Sequence, residues 1–120
     1  MSGAGAIAEF CASLGLPAGE PPLAFEFERS GRLHIERAGE WVTVSLVRPM
    51  PRHRSGVAAA ALSAVHPDRG LPLMVRAAFL GEDALVLVAR IAERKLDLPT
   101  LHTAVGLLAG LAGEVEAATQ

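Results

Sequence analysis

The sequence predicts an α+β domain in which helices pack on one twisted antiparallel sheet, with the element order α-β-β-β-α-β-β-α. Three observations predict this fold class. Apolar residues recur at helical spacing near both ends of the chain. They alternate with polar residues in short segments between the ends, and glycine-containing turns separate those segments. The chain of 120 residues is long enough for one core, so we expect residues 1–120 to form a single domain.

The first half of the chain predicts a helix followed by three strands. Residues 6–14 predict the helix because their apolar side chains recur at helical spacing, and Gly15 is placed to end it. A connector rich in proline and glycine follows at residues 17–22. After it, the large apolar residues recur at every second position. This alternation predicts an antiparallel meander. Its strands are residues 23–27, 33–36 and 41–47.

The second half of the chain predicts a helix, a β-hairpin and a C-terminal helix. Ser55 is placed to cap a helix that ends near Val65. Residues 73–80 and 84–91 predict two strands joined by a short turn. Pro99 is predicted to occupy the first position of the last helix. The apolar face of that helix comprises Leu101, Ala104, Val105, Leu108, Leu111, Ala112 and Val115.

The composition argues against several classes of protein. The formal net charge of -2 argues against a chain whose main role is to neutralise phosphates. A single cysteine excludes an internal disulfide framework and fits a reducing compartment. No apolar run of about 18 residues lacks a charge or a breaker, so the sequence predicts no membrane-spanning helix. The N-terminus lacks the basic region of a signal peptide.

The residues that could carry chemistry are scattered along the chain. No histidine has another histidine three or four positions away, and one cysteine provides no thiolate pair for zinc. Cys11 lies on the apolar stripe of the first helix, where a buried thiol behaves as a small hydrophobe. We therefore expect no catalytic residue, no metal and no cofactor, and a protein that is not an enzyme. The histidines are His34, His53, His66 and His102.

One basic cluster follows the predicted third strand, where it is expected to break the sheet. It is interpreted either as a contact for a phosphate or an acidic partner, or as a solvated loop. Aromatic residues make up 4% of the chain, whereas nucleic-acid binding normally uses stacking aromatics or a recognition helix. A small nucleic-acid-binding or regulatory module that uses this cluster is the alternative function. The cluster comprises Arg48, Arg52, His53 and Arg54.

The most informative anomaly is apolar surface on elements that should have a solvent-exposed polar side. Hydrophobic residues make up 51% of the chain. The helix after Ser55 is apolar nearly all round, and residues 85–88 are apolar on both faces of their strand. One interpretation is a monomer with a large core. The other, which we favour, is a subunit that buries one face in a dimer and offers another face to a client. Either Val57→Arg or Ala61→Arg, whichever faces the partner, is then expected to leave a folded subunit that no longer pairs.

A series of short motifs follows in order along residues 7–115. They are Phe10-Cys11, Leu14-Gly15-Leu16-Pro17, Ser30-Gly31 with Leu33 and Glu36, His53-Arg54, Leu71-Pro72-Leu73, Phe79-Leu80-Gly81-Glu82 with Leu85-Val86-Leu87, Glu93-Arg94 with Leu96, Leu98-Pro99, Leu101-His102 and Glu114-Val115. Each motif alone is common. Together, their order and spacing resemble those of the class I type III secretion chaperones, and within that class the SycN type.

The resemblance implies a chaperone that acts by stoichiometric binding. In that family, the SycN type pairs with a YscB-type chaperone of similar fold, and the heterodimer binds the N-terminal region of a YopN-like gatekeeper in extended form. The client is thereby kept soluble and competent for secretion, and secretion is regulated. The resemblance also implies a cytoplasmic bacterial protein linked to virulence, with a peripheral location at the secretion apparatus on the inner membrane. It leaves open whether this chain forms a heterodimer or a homodimer.

The resemblance further implies two binding surfaces. The dimer contact is expected on the helix at residues 55–65 and the strand at residues 73–80. Client grooves are expected on the first helix and first sheet, where an edge strand offers backbone pairing and apolar grooves receive side chains. The dimer-contact candidates are Val57, Ala58, Ala61, Leu62, Val65, Leu73 and Val75. The client-binding candidates are Phe10, Leu14, Phe25, Phe27, Leu33 and Ile35.

Overall fold

A computed structural model describes residues 3–15, 23–27, 31–50 and 56–119. Its elements follow the predicted order α-β-β-β-α-β-β-α, with two short 3-10 turns added at Pro67–Arg69 and Glu93–Lys95. The helices and strands are α1 (Gly3–Ser13), β1 (Leu23–Phe27), β2 (Gly31–Ala38), β3 (Trp41–Pro49), α2 (Val57–Ala64), β4 (Val75–Leu80), β5 (Ala84–Ala92) and α3 (Leu98–Ala118). The predicted fold class is therefore confirmed.

The five strands form one antiparallel sheet in the order β1-β2-β3-β5-β4. The predicted meander and hairpin are both present, and β1 and β4 lie at the two edges of the sheet. One row of paired residues crosses all five strands and faces the core, because successive side chains of a strand point to opposite faces. That row is Leu23, Ile35, Val44, Ala89 and Val75.

The helices form one layer on the inner face of this sheet. α3 packs on β3 and β5, and both α1 and α2 pack on α3. The buried stripe of α3 confirms the predicted apolar face, except that Val105 is half-buried. By length and mean hydropathy alone α3 could cross a membrane, contrary to the sequence-based expectation. Its stripe instead fills the domain core, formed by Leu101, Ala104, Leu108, Leu111, Ala112 and Val115.

The third strand continues further than predicted. Residues 48 and 49 remain in β3, with Pro49 opposite Ala84, and the Met50 amide donates to the Asp83 carbonyl at 2.7 Å. The prediction that Arg48 begins a break in the sheet is therefore wrong. Proline is tolerated there because it stands at the end of the strand, where little further pairing is needed. Residues 51–55 lie outside the described part of the chain.

The helix starts also differ from the predictions in detail. Gly56, at φ 85°, is the N-cap of α2, and Ser55, the predicted cap, lies outside the described residues. In α3 the carboxylate of Asp97 accepts from the Thr100 amide at 2.8 Å, which makes Asp97 the N-cap and puts Pro99 second in the helix. A proline is compatible with the second position because the first amides of a helix have no partner within it.

Candidate partner and client surfaces

A groove opens beside α2 and the edge strand β4, and its volume is about 580 Å³. Leu62 and Met74 are prominent at it, with 66% and 76% of their surfaces exposed. Exposed apolar side chains that are grouped in one patch are typical of interaction surfaces. The lining of this α2–β4 groove comprises Leu62, Val65, His66, Pro67, Leu71, Pro72, Leu73, Met74, Val75, Arg76 and Ala77.

The groove brings together four of the seven dimer-contact candidates: Leu62, Val65, Leu73 and Val75. Val75 contributes as part of the strand, but its side chain is 4% exposed. Ala58 is exposed on α2. The side chains of Val57 and Ala61 lie in the core, because α2 turns them and Ala64 inward as it packs on α3. The expectation that Val57→Arg or Ala61→Arg leaves a folded subunit is thus corrected, since either charge would be buried within the chain.

Arg69 ties the loop after α2 to two helices. Its Nη1 donates to the carbonyl of Ala64, the last residue of α2, at 2.8 Å. The same guanidinium forms a fork with Glu114 of α3, with Nη1–Oε2 at 2.7 Å and Nη2–Oε1 at 3.1 Å. These hydrogen bonds lower the pKa of Glu114 and raise the pKa of Arg69. The pair is solvated, so its geometry rather than its charge attraction is its main contribution.

The outer face of the sheet, opposite the helices, carries a block of apolar residues. Val47, Val86 and Ala78 are neighbours across β3, β5 and β4. Val86 and Val88 of β5 are half-buried, whereas Leu80 is 64% exposed. A solvated face of an antiparallel sheet normally carries polar residues. The apolar block comprises Val47, Ala78, Leu80, Ala84, Val86 and Val88.

Arginines border this apolar block. Arg76 stands opposite Val88, and Arg32 stands opposite Val47 and also pairs with Glu26 of β1. Arg90 lies one row beyond Val88, and its guanidinium carbon is 4.4 Å from the centroid of the half-exposed Trp41 ring. An apolar surface bordered by cations suits a chain segment that combines apolar and acidic side chains.

The client-binding candidates divide between the core and a surface corner. Phe10, Leu33 and Ile35 are at most 1% exposed, so they are not free to contact a client. Leu14 and Phe25 are half-buried where α1 meets the edge strand β1, while the side chain of Phe27 lies outside the described residues. The sequence pattern showed that these residues were apolar, but alternation alone could not show which of them the helices cover.

The corner between α1 and β1 is held by ring contacts and one polar contact. The rings of Phe10 and Phe25 meet edge to face with centroids 6.3 Å apart, and the His102 ring lies 5.2 Å from that of Phe10. His102 Nε2 is 3.3 Å from Ser13 Oγ, which itself donates to the Phe10 carbonyl at 2.7 Å. The His102 ring thus packs against Phe10 while its Nε2 contacts the Ser13 hydroxyl.

Of the predicted basic cluster, only Arg48 lies in the described part of the chain. Arg48 is 9% exposed, and its Nη1 contacts Glu116 Oε2 of α3 at 3.2 Å. It thus joins a strand to a helix instead of facing solvent. Arg52, His53 and Arg54 lie outside the described residues. Within the described residues, no group of three or more histidine, cysteine or acidic side chains is placed to hold a metal ion.

The outer face and the loop that forms the groove are the features that sequence analysis located least well. The apolar run at residues 85–88 did signal a two-sided strand, but it did not show that the helices all lie on one side. The segment 65–74 has no regular period, and its role in the groove depends on how Arg69 and Gly70 turn the chain.

Solved structures share this architecture. The chain aligns with the ExoU-SpcU complex of the Pseudomonas aeruginosa type III secretion system at a TM-score of 0.69 and 21% identity, over 92% of this chain and 95% of the other. It aligns with the ExsC-ExsE complex at a TM-score of 0.68 and 16% identity, over 88% of this chain and 84% of the other. It aligns with the Yersinia pestis type III secretion chaperone SycH, solved with a fragment of YscM2, at a TM-score of 0.64 and 14% identity. This alignment covers 97% of this chain and 98% of the other. The fold is that of the type III secretion chaperones.

The sequence comparisons define the family more narrowly. A model of the type III secretory system chaperone SycN matches residues 4–116. The chaperone SycN of Yersinia pseudotuberculosis is 41% identical over 115 residues, which cover 91% of this chain and 92% of the relative. SycN of Yersinia enterocolitica has the same identity and coverage. The chain belongs to the SycN family of type III secretion chaperones, which are cytoplasmic proteins.

Proposed function

We propose that this chaperone binds the N-terminal region of a YopN-like gatekeeper in extended form, as a heterodimer with a YscB-like chaperone. In this proposal the α2–β4 groove receives the partner subunit, and the other exposed surfaces receive the client. The complex keeps the gatekeeper soluble and competent for secretion. The chaperone itself has a peripheral location at the secretion apparatus on the inner membrane. The observation that carries the proposal is the presence of two apolar surfaces, the groove and the outer face, which meet at Arg76 of β4.

The charges of the groove favour a partner that is not a second copy. Arg76 and His66 are its ionisable lining residues, and no carboxylate is among the residues that line it. In a two-fold dimer the same surface meets itself, so a second copy would bring another Arg76 into the interface. Like charges there weaken association, whereas a partner with apolar side chains and a carboxylate complements the groove.

The client surfaces fit an extended chain better than a folded domain. β1 is an edge strand, and no strand among the described residues pairs with its outer side, so its backbone groups there can pair with an added strand. Leu14 and Phe25 lie beside that edge and offer apolar contacts to alternate side chains of the added strand. A client segment that continues past this corner reaches the outer face, whose apolar block is bordered by Arg32, Arg76 and Arg90.

Co-expression tests the proposal. The chain is produced with the YscB-like chaperone and the N-terminal segment of the gatekeeper from the same organism, and one tagged component is purified. We expect all three proteins to be recovered together, and Arg76→Glu to reduce recovery of the partner subunit more than Arg76→Gln does. Recovery of this chain as a tight homodimer that excludes the YscB-like protein would contradict the heterodimer, and absence of the gatekeeper segment would contradict the client.

A further inference from the structure

Most of the residues that line the α2–β4 groove come from one loop, residues 65–74. This loop contains one 3-10 turn at Pro67–Arg69, and Gly70, at φ 66°, then turns the chain toward β4. Its backbone hydrogen bonds are short-range, such as Arg69 to His66 and Gly70 to Pro67. The loop therefore has no strand or helix ladder of its own to set its position relative to α2 and α3.

Arg69 supplies links from this loop to both helices. Its guanidinium bonds the last carbonyl of α2, at Ala64, and both carboxylate oxygens of Glu114 on α3. Such a fork fixes direction as well as distance, because a planar guanidinium meets a carboxylate through two parallel hydrogen bonds. Arg69 is not itself among the residues that line the groove. Any effect of Arg69 on the groove therefore comes through the position of the loop.

We infer that Arg69, through its fork with Glu114 and its bond to Ala64, is a positioning residue for binding of the partner subunit. It holds the loop so that Leu71, Leu73 and Met74 stand in the shape that the partner meets. The inference rests on the proposed pairing surface. Without the fork, the loop samples other positions, and the partner must order it at the moment of binding, which weakens association.

The test compares the affinity of the YscB-like chaperone for four variants of the chain, each measured by isothermal titration. Arg69→Gln and Glu114→Gln remove the fork, and we expect each to weaken association about tenfold. Arg37→Gln is the matched control, because it breaks the ion pair between Arg37 and Glu93 away from the groove and should leave the affinity unchanged. Leu62→Arg alters the groove itself and should abolish binding.

Two further measurements separate positioning from general stability. Hydrogen exchange of the free Arg69→Gln chain should speed up at residues 65–74 and stay unchanged in the sheet. Exchanging the charges, by Arg69→Glu together with Glu114→Arg, should recover part of the lost affinity. If Arg69→Gln speeds exchange throughout the chain, its role is general stability and the inference is overturned.

The outcomes also distinguish this inference from the pairing surface on which it rests. If Arg69→Gln binds as tightly as the parent while Leu62→Arg does not bind, positioning by Arg69 is wrong and the groove remains the pairing surface. If Leu62→Arg binds as tightly as the parent, the proposed pairing surface is wrong, and the inference about Arg69 is overturned with it.

Discussion

Arg48, at the end of β3, reaches Glu116 in the last turns of α3, with 3.2 Å between Nη1 and Oε2. The contact joins the sheet to the helix that covers it. A basic residue that the sequence assigned to an exposed cluster is thereby part of the domain interior. Arginine suits this position because its aliphatic stem packs while its guanidinium hydrogen-bonds.

Arg48→Ala should lower the free energy of unfolding by about 1–3 kcal/mol, because it removes a charge-assisted hydrogen bond and buried packing together. The matched control is Arg32→Ala, whose ion pair with Glu26 is exposed on the outer face, and whose effect should stay within about 0.5 kcal/mol. Urea unfolding followed by circular dichroism measures both. Equal effects of the two substitutions would contradict the buried role of Arg48.

Two substitutions on α2 should have opposite consequences. Leu62→Arg places a charge on the exposed side and should leave a folded chain that pairs at least about 100-fold more weakly, since an interface would desolvate that charge. Val57→Arg places the charge in the core and should prevent folding. Circular dichroism reports the fold, and sedimentation with the YscB-like partner reports pairing. A folded Val57→Arg chain would show that α2 is turned differently.

Gly31, at the start of β2, should not tolerate a side chain. Its φ is +106°, and an added Cβ would lie 2.3 Å from the Val47 carbonyl oxygen of the neighbouring strand. Gly31→Ala should therefore lower the free energy of unfolding by about 2–4 kcal/mol, combining backbone strain with displacement of a paired strand. Gly39→Ala is the control, because it shares a positive φ but has open space, so it should cost about 1–2 kcal/mol. Thermal unfolding would rank the two, and similar losses would argue against the close approach.

The start of α3 should make stability depend on acid. Hydrogen bonds from Thr100 lower the pKa of Asp97 in the folded chain. A group with a lowered pKa stabilises the fold fully above its unfolded value, about 3.9 for aspartate, and loses that contribution as pH falls through the folded pKa. Asp97→Asn keeps a good cap but cannot titrate, so its melting temperature should fall less than the parent's in this acidic range. Parallel acid dependence in the two proteins would exclude this role for Asp97.

The order of elements was predictable because each signal is local. Alternation in residues 23–27 and helical spacing after Pro99 are properties of the chain itself, and both segments fold as expected. Which side of α2 packs against the core was not predictable in the same way. Its apolar surface runs nearly all round, so Val57 and Leu62 are equivalent in sequence, and only packing on α3 separates them into core and surface.

The candidate surfaces were harder to predict than the fold because they depend on tertiary placement. Phe10 and Leu14 share one apolar stripe, yet Phe10 is buried and Leu14 is half-exposed at the corner with β1. Arg69 carried no recognisable motif, and its contact with Glu114 spans 45 positions in the chain. Contacts of that separation follow from the fold and leave no periodic signal in the sequence.

The central claim, that the chain pairs with a second chaperone and binds an extended client through apolar surfaces, is tested most directly by light scattering after size exclusion. The sample is the chain with the YscB-like chaperone and the N-terminal gatekeeper segment, run in low and in high salt. We predict a single peak whose mass equals the sum of the three components at both salt concentrations, because apolar contacts and backbone pairing survive screening. A gatekeeper segment that elutes separately from the chaperones at both salt concentrations, or that leaves them in high salt, would contradict the account.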